Sequence, residues 1–265
     1  MLGAGMVMRL IGLALAMALA FSGGAGAAEV LRAAYEDKAQ PPYYLGDSAD
    51  IDAAAPGVSV ELLREAAAAA GIEIQFVRMP WPRCLKSLQR GEVDAIFNSS
   101  FKEERLEAGV YPMVGGKPDP ARRITTLTYA LYRLKGGPVT WDGKVIGGLG
   151  DGAVGAQAGY SIVEDLTRMG VRVEETGDTL TNFKKLASGR IPAVAQHEVN
   201  GDSLLAGGQF PAVQKVAPPL VTKDYFVMFS HQFHDSKREL AERLWAKLAE
   251  VRDRRSAALY AKYMR

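Results

Sequence analysis

The sequence predicts an α/β protein of two lobes, each built on a parallel sheet, with the chain crossing between them twice. Three observations carry this expectation. Segments of strand and helix character alternate between residues 30 and 108, a pattern that sets parallel strands side by side with helices as crossovers. A second series of the same kind follows residue 144, and part of it repeats the first: Leu186-x-x-Gly189-Arg190-Ile191 echoes Leu88-x-x-Gly91-Glu92-Val93. Finally, a β-branched and aromatic run over residues 124–134 precedes the second series, and the strand YFVMFS follows it at residues 225–230. The first supplies the outward crossing, and the return is expected just ahead of the second, near residues 222–225.

The first nine residues carry a single positive charge, and residues 10–21 form an unbroken apolar run of 12. That run is too short to span a bilayer and, with the small residues after it, has the tripartite form of a secretory signal. Cleavage is expected after Ala28, leaving 237 of the 265 residues, enough for two small cores. No cysteine directly follows the apolar run, so a lipid anchor at a mature N-terminal cysteine is not expected. With the one basic residue of the leader removed, 31 basic residues face 30 acidic ones. Such a balance argues against nucleic acid or an anionic membrane as partner. Cys84 is the only cysteine, so no intrachain disulfide forms, and a buried structural thiol is expected.

In chain order, residues 30–35 read as a strand. They run into the polar, proline-stiffened loop Glu36-Asp37-Lys38-Ala39-Gln40-Pro41-Pro42-Tyr43-Tyr44, whose tyrosines either face a cleft or cap the core. Residues 58–70 are a helix with Val60, Leu63, Ala66, Ala67 and Ala70 on one face and Gly71 as its stop. Residues 72–77 alternate as a strand. The stretch WPRCLKSLQRGEVDAIFNSSFKEER follows, and the molecule is organised around it. Leu85 and Leu88 share one face of a short helix stopped by Gly91. Val93, Ala95, Ile96 and Phe97 form a strand apolar enough to be buried on both faces. It ends in Asn98-Ser99-Ser100, and a second short helix over residues 102–108 carries Arg105. Ligands of open α/β sheets bind at the carboxyl ends of the strands. A guanidinium offers the paired donors that match a carboxylate. Three hydrogen-bonding side chains beside an arginine thus fit a pocket for a small anion, or else a polar turn next to an arginine paired with Glu103 or Glu104.

Taken in order, Trp81, Leu85, Leu88, Gly91-x-x-Asp94, Glu104-Arg105 and Tyr111-Pro112 make this stretch resemble the core of solute-binding protein family 3. These are the periplasmic receptors of polar amino-acid ABC importers. The resemblance extends weakly over residues 29–265. It implies the two-lobed periplasmic binding protein fold (type II) with two hinge crossings, divided as residues 29–127, 128–223 and 224–265. It also implies that Arg105 grips the ligand carboxylate, with Asn98, Ser99 and Ser100 beside it, and that Glu36, Tyr43, Tyr44 and Trp81 line the cleft.

In the second lobe, strands are expected over residues 144–149, 171–174 and 191–195, and helices over 161–169 and 180–187. Gly150-x-Gly152-x-x-Gly155 matches a dinucleotide fingerprint in form. The better helix start, however, is Gly159-Tyr160-Ser161, beyond the glycines, so that reading is set aside. Ser161 stands where an N-cap belongs, with Glu164 at capping-box spacing, and the free N–H groups there could hold an anion. Family 3 receptors contact the ligand carboxylate at a similar turn, making Gly159, Tyr160 and Ser161 second-lobe candidates. The resemblance places an amine-binding Asp after strand 191–195. Here His197 stands in that place with Glu198 next, which leaves open an amine held by Glu198, a ligand without an amine, or a surface histidine.

The expected function is capture of a small carboxylate-bearing solute, an amino acid or a relative, as a monomeric partner of an inner-membrane ABC permease. Neither catalysis, nor a cofactor, nor a metal is called for. His231 and His234 lie three apart, which on a strand puts them on opposite sides. Two alternatives stand beside this reading: an enzyme on the same fold, resembling the cyclohexadienyl dehydratases, and a stand-alone receptor feeding a sensor.

Overall fold

The structure is a computed structural model that describes residues 29–264; the expected leader lies outside them. The chain opens with β1 (Glu29–Glu36), α1 (Val58–Ala69), β2 (Ile72–Met79), α2 (Trp81–Gln89) and β3 (Ala95–Ser100). A 3-10 turn over Glu103–Glu107 and a small hairpin, β4 (Met113–Val114) with β5 (Lys117–Pro118), lead to the long strand β6 (Thr125–Leu134). The second half holds a hairpin of β7 (Thr140–Trp141) and β8 (Ile146–Gly147), then β9 (Val154–Gln157), α3 (Ser161–Arg168), β10 (Val173–Thr176), α4 (Thr179–Ala187), β11 (Ala193–His197) and α5 (Glu198–Ala206). The 17-residue strand β12 (Val213–Phe229) returns the chain, and α6 (His231–Ser236) and α7 (Arg238–Tyr263) close it.

Eight strands make one sheet in the order β10-β9-β11-β6-β12-β3-β1-β2. Within it β1 pairs in parallel with β2 and β3, and β9 with β10 and β11. The two parallel sets are stitched together by β6 and β12, which run antiparallel to each other from Leu134↔Val213 to Thr125↔Tyr225 around an irregularity between Val216 and Val221. The crossings expected at residues 124–134 and near 222–225 are therefore partners along most of their length, and the return strand begins far earlier than its YFVMFS end suggests.

Apolar side chains collect in three places. Leu31, Tyr35, Leu63, Phe97, Phe229 and Trp245 lie among the sheet, α1 and α7. The Trp245 indole N–H donates to the Val227 carbonyl at 2.9 Å. Tyr132, Phe183, Leu186, Val194 and Phe210 form the core of the second half. A third cluster, with Trp81, Leu88, Ile96, Tyr129, Tyr160 and Ile162, joins elements of both halves. Cys84 is buried within it, and burial pushes its thiol up, as expected of a structural cysteine.

Several local expectations change. Residues 144–149 contribute only the short β8, while the first parallel strand of the second half is β9, VGAQ. Its small residues look like loop sequence, yet all four are buried, and a Cβ on Gly155 would lie 2.6 Å from Ile191. Gly152 and Gly155 therefore serve close packing and Gly150, at φ +56°, a turn, and no helix opens among them. The chain ends in one long helix, α7, of 26 residues. In α5, which local pattern did not announce, a Cβ on Gly201 would meet Tyr132 Cζ at 2.2 Å. Tyr132 is fully buried and donates to the Glu198 carbonyl at 3.1 Å and to Asp202 at 2.9 Å. Gly201→Ala should therefore cost about 1–3 kcal/mol through overpacking. A denaturant midpoint equal to wild type would show that α5 moves aside freely.

Candidate ligand site

Strand ends converge on one small cavity between the two halves. It is lined by Glu36, Gln40, Tyr44, Trp81, Asn98, Ser100, Arg105, Tyr129, Tyr160, Ser161, His197 and Tyr225. Glu36 is the last residue of β1, Ser100 of β3 and His197 of β11, which is where an open α/β sheet presents ligand groups. Asn98 belongs to β3 and does not follow it. Opposite it the β3–β12 register shifts between Phe226 and Met228, and Asn98 has φ +55°, a left-handed conformation that Asn tolerates. The irregularity coincides with the point where β3 meets the cavity. Both polar atoms of the Asn98 amide are buried without a hydrogen-bond partner.

Arg105, only 5% exposed, reaches back from the 3-10 turn. Its Nη1 donates to the Ser100 carbonyl at 2.7 Å and lies 3.3 and 3.4 Å from the hydroxyls of Ser100 and Ser99. Nη2 donates to the Gly159 carbonyl of the second half at 2.8 Å. The guanidinium stands 5.4 Å from the Trp81 ring centroid, within cation–π range. Among the described residues no carboxylate pairs with it, so Glu103 and Glu104 are not its partners. A second link between the halves runs from the Ser100 hydroxyl to the Ser161 hydroxyl at 2.8 Å. Ser161 thus does not cap α3: Tyr160 occupies the N-cap position, and no side chain bonds the helix end.

At the other side of the cavity the Glu36 carboxylate is 4% exposed. It accepts from Tyr44 at 3.1 Å, from Tyr160 at 2.5 Å and from Gln157 at 2.6 Å, the last two from the second half. Burial pushes its pKa up to about 7 despite the two phenol donors. His197 is 2% exposed, and burial holds its imidazole down at about 3, so it is neutral. The Gln40 amide donates to Nδ1, which leaves the ring proton on Nε2, 2.7 Å from the Tyr225 hydroxyl. Tyr225 in turn donates to Tyr129 at 3.2 Å, and the Tyr129 ring lies 4.1 Å from the imidazole, centroid to centroid. Burial raises Tyr225 to about 12, so this chain of rings is neutral throughout.

Of the residues singled out in the sequence, Glu36, Tyr44, Trp81, Asn98, Ser100, Arg105, Tyr160, Ser161 and His197 are brought together here. Ser99 lies one step behind, its hydroxyl 2.9 Å from that of Tyr111, and Gly159 contributes its carbonyl. Two expectations are corrected. Tyr43 packs in the first core edge-on to Tyr260, because neighbouring residues of the loop face opposite ways. Glu198 starts α5 on the surface and pairs with Lys215 at 2.7 Å, which removes it as an acid, a base or an amine receiver in the cavity. Gln40, Tyr129, Tyr225 and Gln157 were not anticipated. Gln40 lay in the loop already singled out, whereas nothing in local pattern marks which tyrosines of β6 and β12 turn inward.

Two lobes around a polar cleft define the class, a two-lobed periplasmic binding protein fold. A histidine kinase sensor domain with similarity to periplasmic binding proteins is similar over 88% of this chain and 95% of its own, at 20% identity and TM-score 0.69. The GluR0 ligand-binding core from Nostoc punctiforme, solved with L-glutamate, covers 88% and 98% at 17% identity and TM-score 0.67. The arginine-, lysine-, histidine-binding protein ArtJ from Geobacillus stearothermophilus covers 89% and 95% at 18% identity and TM-score 0.68. Residues 31–111 match the family of bacterial extracellular solute-binding proteins, family 3, so the resemblance carried by the Trp81–Arg105 stretch is borne out. No curated protein sequence matches the chain. Among the described residues no helix is long and apolar enough to cross a membrane.

Proposed function

We propose that the chain captures a small carboxylate-bearing solute in this cavity and, as an exported receptor freed of residues 1–28, delivers it to an inner-membrane ABC permease. The observation that carries the reading is Arg105, a buried guanidinium facing the cavity with only neutral oxygens as partners. A carboxylate is the group its paired donors fit, and the unpartnered amide of Asn98 offers that ligand a further bond. Glutamate and arginine, named with the similar structures above, both carry such a group. In this reading Arg105, Asn98 and Ser100 hold the carboxylate, Tyr160 and Ser161 join from the second lobe, and Tyr44 and Trp81 pack the apolar part. The lobes divide at residues 127 and 223, and β6 and β12 form the hinge. Opening withdraws the Gly159 carbonyl from Arg105 and exposes the guanidinium to an arriving ligand, and closure restores that contact.

The reading is one of binding by a monomer, without a chemical step. The similarity to a histidine kinase sensor domain favours one second reading, a receptor that reports its ligand to a sensor protein. A thermal-shift panel of amino acids, dicarboxylates, keto acids, small peptides and prephenate tests the first claim, since a bound solute raises the unfolding midpoint by mass action. A rise with carboxylates that disappears in Arg105→Ala supports it, and silence from every carboxylate sinks it. Turnover of prephenate in place of simple binding would favour the dehydratase alternative. Loss of cellular uptake of the stabilising compound on deleting the chain would assign transport, whereas intact uptake with a lost response would assign sensing.

A further inference from the structure

We propose that Arg78, which does not line the cavity, is a positioning residue for it: from behind, its guanidinium fixes the loop that carries Gln40 and Tyr44 into the site. This rests on the cavity being the solute site, and it names a residue that sets the geometry there without touching the solute. Arg78 lies on β2, the outer strand of the sheet, and is 5% exposed. Its Nε donates to the Glu36 backbone carbonyl at 3.2 Å. Nη1 donates to the carbonyls of Leu45 at 2.8 Å and Asp50 at 3.2 Å, and Nη2 to that of Gly46 at 2.6 Å. The guanidinium stands 5.1 Å from the Tyr35 ring centroid. Among the described residues no carboxylate pairs with it. A buried cation with dipoles alone as partners is costly, and an apolar side chain of similar size is tolerated better at such a place. What the guanidinium adds is a rigid fork of donors that holds four carbonyls in one arrangement. Residues 45–57 form neither helix nor strand, so the shape of their first part comes from that fork and not from a backbone ladder. Gly46, at φ +82°, comes so near that a Cβ on it would lie 3.1 Å from Nη1.

The clamped segment is continuous with the cavity wall. Leu45 directly follows Tyr44. The Gln40 N–H donates to the Tyr44 carbonyl at 2.9 Å, and the N–H groups of Tyr43 and Tyr44 donate back to the Gln40 carbonyl at 2.8 and 3.2 Å. The Asp47 carboxylate accepts from the Ala39 N–H at 2.8 Å, which ties the residue before Gln40 to the same segment. Gln40 and Tyr44 therefore move as one body with the residues that Arg78 holds. Both send their side chains into the cavity, the Gln40 amide donating to His197 and the Tyr44 hydroxyl to Glu36. Since Arg78 also holds the Glu36 carbonyl, both partners of the Tyr44–Glu36 bond are tied to one guanidinium. Groups that must meet a solute within fractions of an ångström depend on rigid support of this kind.

The test reads the site both with and without a solute. Nitrogen NMR of the three histidine rings at pH 6 reports on the cavity. In the wild-type chain His197 should be neutral there, since burial holds it at about 3. In Arg78→Met the loop slackens, Gln40 leaves the imidazole and water reaches it, so His197 should move toward the ordinary 6.5 and be mostly charged at pH 6, while His231 and His234 keep their wild-type signals. A mere loss of stability would leave the ring neutral in the folded chain. Amide exchange over residues 38–50 should quicken at least tenfold, with that of β3 and β11 unchanged. L-glutamate and L-arginine, titrated calorimetrically as probes, should bind at least tenfold more weakly. Arg78→Lys, which keeps a cation without the fork, should fall between wild type and Met in all three readouts. Gly46→Ala leaves the guanidinium in place but presses on it, and it carries the same readouts if Arg78→Met does not fold. A folded variant with His197 still neutral and exchange unchanged would overturn the positioning role. So would faster exchange with undiminished affinity for a probe that binds the wild-type chain. Failure of both probes on the wild-type chain would count against carboxylate capture alone, and the ring and exchange signals would then decide the role of Arg78 by themselves.

Discussion

Arg105→Ala should weaken capture of a carboxylate solute by about thirtyfold or more. Truncating one partner of a buried charge pair costs roughly 2–5 kcal/mol. Three features put this residue at the upper end of sensitivity. It is buried, it sits on the Trp81 ring, and it links the lobes through the Gly159 carbonyl. The variant thus loses the ligand's anchor and one closing contact together. Arg105→Lys separates the two contributions, since it keeps the charge but loses the planar fork that spans Ser100 and Gly159; its affinity should fall between wild type and Ala. Calorimetry on all three proteins, with the best compound of the panel, reads the order directly. Equal affinity in Arg105→Ala would place the carboxylate elsewhere in the cleft.

The second large effect concerns acid stability, where two buried groups pull in opposite directions. His197 titrates near 3 in the folded chain against an ordinary 6.5. The stability tied to its neutral form is therefore complete above 6.5 and is lost as pH falls toward 3, by on the order of 5 kcal/mol in all. Glu36 titrates near 7 against an ordinary 4.5. Its contribution has the other sign: complete below 4.5, and lost as pH rises to 7. Between about 4.5 and 6.5 the two slopes oppose, so wild-type unfolding free energy should be nearly level there and fall steeply below 4.5. His197→Gln should expose the Glu36 slope, with stability dropping as pH rises from 4.5 to 7. Glu36→Gln should expose the other, with stability dropping from 6.5 downward. Denaturant titrations at half-unit pH steps measure all three profiles, and parallel profiles would show that neither group is as desolvated as its burial indicates.

His197 and Glu36, two separate walls of one cavity, show where reading from sequence stops. Both residues stood out at strand ends, because the alternation of apolar strands and helices is a local pattern and each strand end is marked by the first polar residues after it. The same locality explains the errors of one position. Tyr43 and Tyr44 are neighbours, yet one packs against Tyr260 and the other bonds Glu36. His197 and Glu198 are neighbours, yet one closes β11 inside the cavity and the other opens α5 on the surface.

By itself the sequence determined the α/β series, the grouping of Asn98, Ser100 and Arg105 at the carboxyl end of one buried strand, and the small, polar character of the turn around Gly159. Each follows from hydrophobic periodicity and turn chemistry over a few residues. Only the tertiary structure decided that Tyr129 and Tyr225 face inward, since that depends on the register of two long antiparallel strands and the irregularity between Val216 and Val221. The fold alone likewise brought Gln157 to Glu36 and Gln40 to His197, across separations of 121 and 157 residues. Contacts of that range are products of packing two lobes against each other, and a residue's local neighbours carry no information about which partner it will meet.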